Sequence, residues 1–266
     1  MSLTWSAHIS WLFLERPYLE RVAEARRAGF SLIESAWPPQ DARDGLAATV
    51  AREGVGVALL NCPAGDLASG ERGVLNDPGR REEAERGFIE AAQLAEQIGA
   101  RSLNVLVGRA LPGISLARQR AAVLGALREF GEEADARGLR LVLEPLNAIE
   151  NPGYLAPTPE SAAELIAQSG SRAIGLLLDV YHVARGGGDP VAAIERNGPL
   201  IDHVQVSDCP GRGRPGSGEL DIWGILETLD ATGYAGAIGL EYEPRGATQD
   251  TLGFMRDPRS PVHPDP

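Results

Sequence analysis

The chain has 266 residues, a formal charge of −12 and a sequence pI near 4.9. Its 43% hydrophobic and 23% charged residues are ordinary for a globular chain and suffice for a core without disulfides or a structural metal. The acidic balance, with no concentrated basic run, argues against nucleic acid and anionic membranes as partners. All 25 basic residues are arginine, so lysine Schiff-base chemistry is excluded, and with it pyridoxal-phosphate enzymes and lysine-dependent aldolases.

Within residues 1–30, Arg16, Glu20, Arg21 and Glu24 interrupt any apolar run, so neither a signal peptide nor a membrane span is expected there. Cys62 and Cys209 are far apart and form no Cys-x-x-Cys pair, which suits a reducing, cytoplasmic setting. Nothing in the sequence fixes the oligomeric state or opposes a homo-oligomer.

In chain order, the pattern predicts a strand at Trp5–Ser10, a helix at Tyr18–Ala28, strands at Leu32–Ala36 and Val55–Leu60, and a helix at Gly79–Ile98. A strand at Ser102–Val107, a helix at Leu116–Arg137, a strand at Arg140–Glu144 and a helix at Pro159–Gln168 follow. The last elements are strands at Ile174–Asp179 and His203–Ser207, a helix at Ile222–Ala231 and a strand at Ala237–Glu241. Gly29, Gly99, Gly138, Gly170 and Gly233 each follow a helical run and precede a strand, the place of a helix-stopping glycine.

Short Val/Ile/Leu-rich strands alternating with amphipathic segments predict a parallel sheet covered by helices. Eight such units, in a chain close to the typical ~250 residues of this architecture, predict a single-domain (β/α)8 TIM barrel over residues 1–255, followed by a proline-rich tail over 256–266. The alternative is an open doubly wound sheet. It lacks its glycine-rich fingerprint after the first strand, where the chain reads His8-Ile9-Ser10-Trp11, and no nucleotide cofactor is indicated.

In such barrels the active site lies at the C-terminal strand ends, so polar residues ending apolar runs are the candidates. Leu141-Val142-Leu143 leads into Glu144, Leu176-Leu177-Leu178 into Asp179, and Ile238-Gly239-Leu240 into Glu241. One such carboxylate would read as a helix cap or a loop ion pair. Three converging on one mouth would repel strongly unless a cation lay between them, and oxygen donors select Mg2+ or Mn2+. Gln205 is the candidate fourth ligand, although a buried, backbone-satisfied amide would look the same. His203 on the same face reads as a core or supporting residue. His182, three residues beyond Asp179, is placed to hydrogen-bond a substrate oxygen, and His8 projects into the same mouth.

Several motifs in order resemble the hydroxypyruvate isomerase family, within the xylose-isomerase-like sugar isomerases and epimerases. They are the opening His8-Ile9-Ser10-Trp11-Leu12-Phe13, Glu144-Pro145-Leu146-Asn147 with Pro152-Gly153, Asp179-Val180-Tyr181-His182, and His203-Val204-Gln205-Val206-Ser207-Asp208. Pro210-Gly211-Arg212, Pro215-Gly216-Ser217-Gly218-Glu219 and Glu241-Tyr242 complete the set. The resemblance implies a metal held by Glu144, Asp179, Gln205 and Glu241, with Glu144 and Glu241 also acting as the acid/base pair that interconverts hydroxypyruvate and tartronate semialdehyde through an enediolate. It makes Glu150 a substrate-contacting acid, and Arg212 is a candidate for pairing the substrate carboxylate. Glutamine at 205, where the wider epimerase group often has histidine, favours acid substrates.

Three departures bear on substrate identity: Glu243 before Pro244 where lysine is usual, the small Val183-Ala184-Arg185-Gly186-Gly187-Gly188 segment, and histidine rather than asparagine at position 8. The rival readings are a 2-oxo-tetronate isomerase or ketose 3-epimerase with the same metal site, and a non-catalytic barrel that binds a sugar acid. A metal-dependent endonuclease of related fold is opposed by the acidic charge and by too few histidines for a multinuclear zinc centre.

Overall fold

The computed structural model of the chain describes residues 3–260 and residue 262. Eight strands, β1 (Thr4–His8), β2 (Leu32–Ser35), β3 (Gly56–Asn61), β4 (Ala100–Val105), β5 (Arg140–Leu143), β6 (Ile174–Asp179), β7 (Ile201–Val206) and β8 (Ala237–Leu240), pair in parallel in chain order. The register Thr4↔Ala237 through Ala7↔Leu240 joins β1 to β8 and closes the expected barrel. Every residue of β6 is buried, because a barrel strand has a neighbour on each edge, packed interior on one face and helix on the other.

The outer layer consists of α1 (Glu20–Arg27), α2 (Gln40–Glu53), α3 (Arg81–Ile98), α4 (Leu116–Ala136), α5 (Pro159–Ser169), α6 (Val180–Arg185), α7 (Pro190–Asn197) and α8 (Ile222–Ala231). On α3, Ala84, Phe88, Ala91, Ala92 and Ala95 fall at helical spacing and are buried, with Glu82 and Glu83 in the first turn suiting the helix dipole. Phe88 stacks on Phe130 of α4, ring centroids 4.4 Å apart at 4°. The five glycine stops all take positive φ, the left-handed turn that releases each helix toward the next strand.

The structure adds α2, α6 and α7, which the sequence pattern did not predict. It also shortens the predicted ends: β1 stops at His8, β5 at Leu143 and β8 at Leu240, which leaves Glu144 and Glu241 as the first residues beyond their strands. A 3-10 turn, Leu252–Arg256, follows the barrel, and Val262 is buried in a bridge to Leu3. Of the expected tail, residues 261 and 263–266 lie outside the described residues.

The apolar core falls into two parts. A large cluster lies between strands and helices, whereas a separate cluster of Leu59, Val142 and Leu177 is a small plug from β3, β5 and β6. Glu34 and His203 are also fully buried, and Gly239 on β8 has a packing reason: a Cβ there would collide with the Glu34 carboxylate. Part of the packed interior is therefore polar.

Candidate active site

Four neighbouring strands deliver the expected residues to one end of the barrel. Glu144 follows β5, Asp179 ends β6, Gln205 lies in β7 opposite Asp179 in register, and Glu241 follows β8. Asp179 is also the N-cap of α6: its Oδ1 accepts the Tyr181 N–H at 2.8 Å, which fixes the carboxylate and leaves Oδ2 toward the mouth. Oδ2 lies 3.7 Å from His182 Nε2, which is 4.0 Å from Glu144 Oε1. Glu144 is held from the opposite side by Asn104 of β4, whose Nδ2 donates to Oε2 at 2.6 Å.

Arg212, in the loop after β7, bridges the carboxylates, with Nη2 3.2 Å from Asp179 Oδ2 and 3.0 Å from Glu241 Oε1. Its guanidinium carbon lies 4.5 Å from the Trp11 ring centre and 4.9 Å from that of Tyr181. The backbone at Arg212 is left-handed (φ 49°), a strained state for a side-chain-bearing residue that its surroundings must enforce. Burial works against this charge, but Glu241 and Asp179 hold the guanidinium above its ordinary value.

The same surroundings set the carboxyl groups. Burial first, then repulsion by Asp179, pushes Glu144 up to about 7. Burial raises Glu241 well above the usual carboxylate range, with Glu144 and Asp179 adding to the rise and Arg212 opposing it. Such a cluster gains from any further cation it can hold.

One set of three donors lies close enough together to hold one. Glu144, Asp179 and His182 offer atoms within 4.8 Å of one another. However, His182 Nδ1 receives both the backbone N–H of Asn147 at 3.3 Å and its side-chain amide at 2.7 Å. The Asn147 contacts make Nδ1 an acceptor and favour the tautomer with the hydrogen on Nε2, the nitrogen that faces the carboxylates. Burial draws this imidazole down to about 4, which keeps it neutral, and its Nε2 also lies 3.4 Å from Arg212 Nη1.

Gln205 supplies the better fourth donor. Its Nε2 donates to Glu34 Oε1 at 2.9 Å, while its Oε1 is buried without a hydrogen-bond partner. An orphaned amide oxygen on the strand beside Asp179, with Glu144 and Glu241 following the strands on either side, is donor chemistry that suits a hard divalent cation, so by donor type these four residues fit such an ion.

Glu34 was not singled out in the sequence, although a carboxylate within an apolar strand is itself a signal. It receives His203 Nε2 at 2.6 Å as well as the Gln205 amide, and His8 pairs with it in register. As a pure acceptor it dictates that the Gln205 NH2 turns inward and Oε1 outward. His203 is accordingly a supporting residue. His8 is buried, drawn down to about 4 chiefly by that burial, and its Nδ1 has no partner. The carboxylate of Glu150 is already engaged by Tyr181 Oη at 2.5 Å, Asn147 Nδ2 at 3.2 Å and Arg185 Nε at 3.2 Å. Glu243 is exposed and meets Arg212 only through its backbone N–H, 2.8 Å from the Arg212 carbonyl.

Closed barrel and carboxylate-lined mouth together define a TIM-barrel sugar isomerase. Residues 22–257 match the family described as xylose isomerase-like TIM barrel. The hydroxypyruvate isomerase of Escherichia coli strain K12 is 32% identical over 253 residues, covering 95% of this chain and 98% of the relative. The 2-oxo-tetronate isomerase of Cupriavidus necator is 31% identical over 252 residues, covering 95% and 97%. A crystal structure described as an AP endonuclease, family 2, from Brucella melitensis superposes with a TM-score of 0.92 at 30% identity, covering 98% of this chain and all of that one. The chain belongs to the hydroxypyruvate isomerase family of the xylose-isomerase-like TIM barrels, and it is an isomerase.

Proposed function

We propose that the enzyme interconverts hydroxypyruvate and tartronate semialdehyde with a divalent metal, Mg2+ or Mn2+, held by Glu144, Asp179, Gln205 and Glu241. The observation that carries this reading is a buried amide oxygen with no partner, Gln205 Oε1, on the strand beside buried Asp179, with buried Glu144 and half-buried Glu241 following the strands on either side. The ion would supply Lewis-acid stabilisation of negative charge developing on the substrate oxygens.

The remaining chemistry falls to the chain. Isomerisation moves a proton from one carbon to its neighbour, and a carboxyl poised near neutrality both takes and returns a proton at physiological pH. Burial raises the proton affinity of both Glu144 and Glu241 in the metal-free site and a bound cation would lower it again; Glu144 serves one carbon and Glu241 its neighbour. Neutral His182 donates its Nε2 hydrogen to a substrate oxygen, as Asn147 fixes its tautomer. Trp11 and Tyr181 flank Arg212, so the substrate end of the mouth is walled by aromatic faces and one guanidinium, itself paired to Asp179 and Glu241. His8 and Glu150 complete the substrate surroundings, Glu150 by bracing Tyr181 and Asn147.

A longer acid or a ketose would meet the same acid/base pair, so 2-oxo-tetronate isomerisation and ketose 3-epimerisation are distinguished by substrate and not by mechanism. An endonuclease would need an electropositive surface to track a phosphate backbone, and the chain carries a formal charge of −12. No helix among the described residues is long and apolar enough to cross a membrane. Both cysteines are unpaired, as a cytoplasmic location would leave them.

The test is turnover of hydroxypyruvate by metal-stripped protein before and after adding Mg2+ or Mn2+, with a four-carbon 2-oxo acid and ketoses in parallel. Metal-restored conversion of hydroxypyruvate is expected. Conversion of only the longer substrates would move the specificity, and silence on all of them would leave a sugar-acid-binding barrel.

A further inference from the structure

We propose that Arg72 and Arg109, on the β3–β5 side of the mouth, form an anion clamp that receives the substrate carboxylate and selects 2-oxo acids over neutral ketoses. The inference rests on the isomerase reading above and adds the residues that recognise the acid group.

Arg72 Nε and Arg109 Nη2 both donate to one neutral acceptor, Asn151 Oδ1, at 3.0 and 3.3 Å. Neither guanidinium lies within 4.0 Å of a carboxylate among the described residues, and the Arg109 Nε is buried without a partner. Arg109 Nη2 also reaches the Glu150 carbonyl at 3.3 Å, and Arg72 Nη1 the carbonyls of Glu71 at 2.7 Å and Leu67 at 3.3 Å. Of the acids around them, Glu150 has its carboxylate engaged by Tyr181, Asn147 and Arg185, and Glu71 by Arg80. Two like charges sharing one uncharged acceptor repel, and an anion between them relieves that repulsion.

The pair is firmly positioned. Gly73 sits so close to the Leu106 carbonyl that a Cβ would collide with it, and its N–H reaches the Ala64 carbonyl at 2.8 Å. Buried Asn76 ties the β3 loop to the β4 loop by donating to the Arg109 carbonyl at 2.6 Å and to Gln119 Oε1 at 2.8 Å. Ala110 N–H holds the far side through the Gly153 carbonyl at 2.7 Å. Clamp and chemistry are adjoining: Asn151 N–H bonds the Asn147 carbonyl at 3.0 Å, and Asn147 is the residue that fixes His182.

Carboxylate is the anion that matches. Its two oxygens meet a guanidinium fork in plane, whereas the Glu144, Asp179 and Glu241 carboxylates would repel it from their own cluster. Arg212 is occupied by Asp179 and Glu241, whereas Arg72 and Arg109 have no acidic partner.

The experiment pairs two substrates that differ only in the group concerned. Dihydroxyacetone, interconverting with glyceraldehyde, is hydroxypyruvate with hydroxymethyl in place of carboxylate. In Arg72→Gln and in Arg109→Gln, KM for hydroxypyruvate should rise about 10- to 100-fold, the loss of one charge-assisted contact, with little change for dihydroxyacetone. Arg72→Lys and Arg109→Lys should recover part of it, and melting curves report folding. Calorimetric binding of the unreactive acid D-glycerate, with glycerol as the neutral control, tests the clamp without turnover. Weakening of glycerate alone in the variants sustains the proposal even if hydroxypyruvate is not converted, an outcome that would remove the isomerase reading only. Equal loss for both substrates, or glycerate binding that is absent or unaffected by the variants, would overturn it.

Discussion

Arg212 neutralises Asp179 and Glu241 through oxygens that a divalent cation would also use, so arginine and metal should compete. Its Nη2 makes contacts of 3.2 and 3.0 Å, and the side chains involved are 14% exposed or less. Each charge-assisted contact contributes about 1.5–3 kcal/mol net. Because glutamine at 212 could keep one neutral hydrogen bond, Arg212→Gln should strengthen metal binding by about one such contact, roughly 10- to 100-fold in Kd. Turnover of hydroxypyruvate should fall in the same variant, because a guanidinium that faces substrate is lost. Titration of metal-stripped protein with Mn2+, followed by calorimetry, gives the affinity. Trp11 gives a second signal: the guanidinium lies over its indole, so Mg2+ should change the fluorescence of the wild type but not of Trp11→Phe. Unchanged or weaker metal binding in Arg212→Gln would refute the competition.

Glu34→Gln introduces a donor where His203 and Gln205 both need an acceptor, so the Gln205 amide should turn its oxygen inward; metal affinity should drop about 10- to 100-fold by titration, while hydroxypyruvate KM changes less. Glu144→Gln should cut turnover by at least about 100-fold, because a proton-transfer group is removed, with circular dichroism unchanged. In metal-free protein the same variant should melt higher than wild type above pH 7. The folded value of Glu144 is raised, so its charge destabilises the fold at high pH, and the difference should vanish as pH falls toward 4.5; a gap that persists there would contradict this. Leu127→Ala, in the outer core at 0% exposure, should cost about 2–5 kcal/mol in denaturant melts.

The barrel and its mouth were legible because both follow local rules. Glu144, Asp179 and Glu241 each end a run of three apolar residues, and strand ends are where a barrel presents chemistry. Glu34 escaped the same rule since it stands one residue inside β2, ahead of Ser35. The α2 helix was missed because it opens after Pro38-Pro39, contains Gly45 and buries only a thin stripe at Ala42, Leu46, Thr49 and Val50. The α7 helix is a single eight-residue element, below the length at which periodicity is decisive. Arg72 and Arg109 belong to different loops, and only closure of the barrel, with β3 beside β4, brings them to one asparagine. Likewise the tautomer of His182 depends on Asn147, which is remote in sequence and adjacent in space.

The division of the core into a large outer cluster and a plug of Leu59, Val142 and Leu177 separates two tasks. The contacts between strands and helices supply most of the hydrophobic stabilisation, so residues lining the mouth can be exchanged without endangering the barrel. Such a scaffold can pass from one hydroxy acid or ketose to another by a few substitutions, each a tolerable step, while every intermediate still folds. That freedom suits a family in which chains of nearly identical length and architecture act on different small substrates.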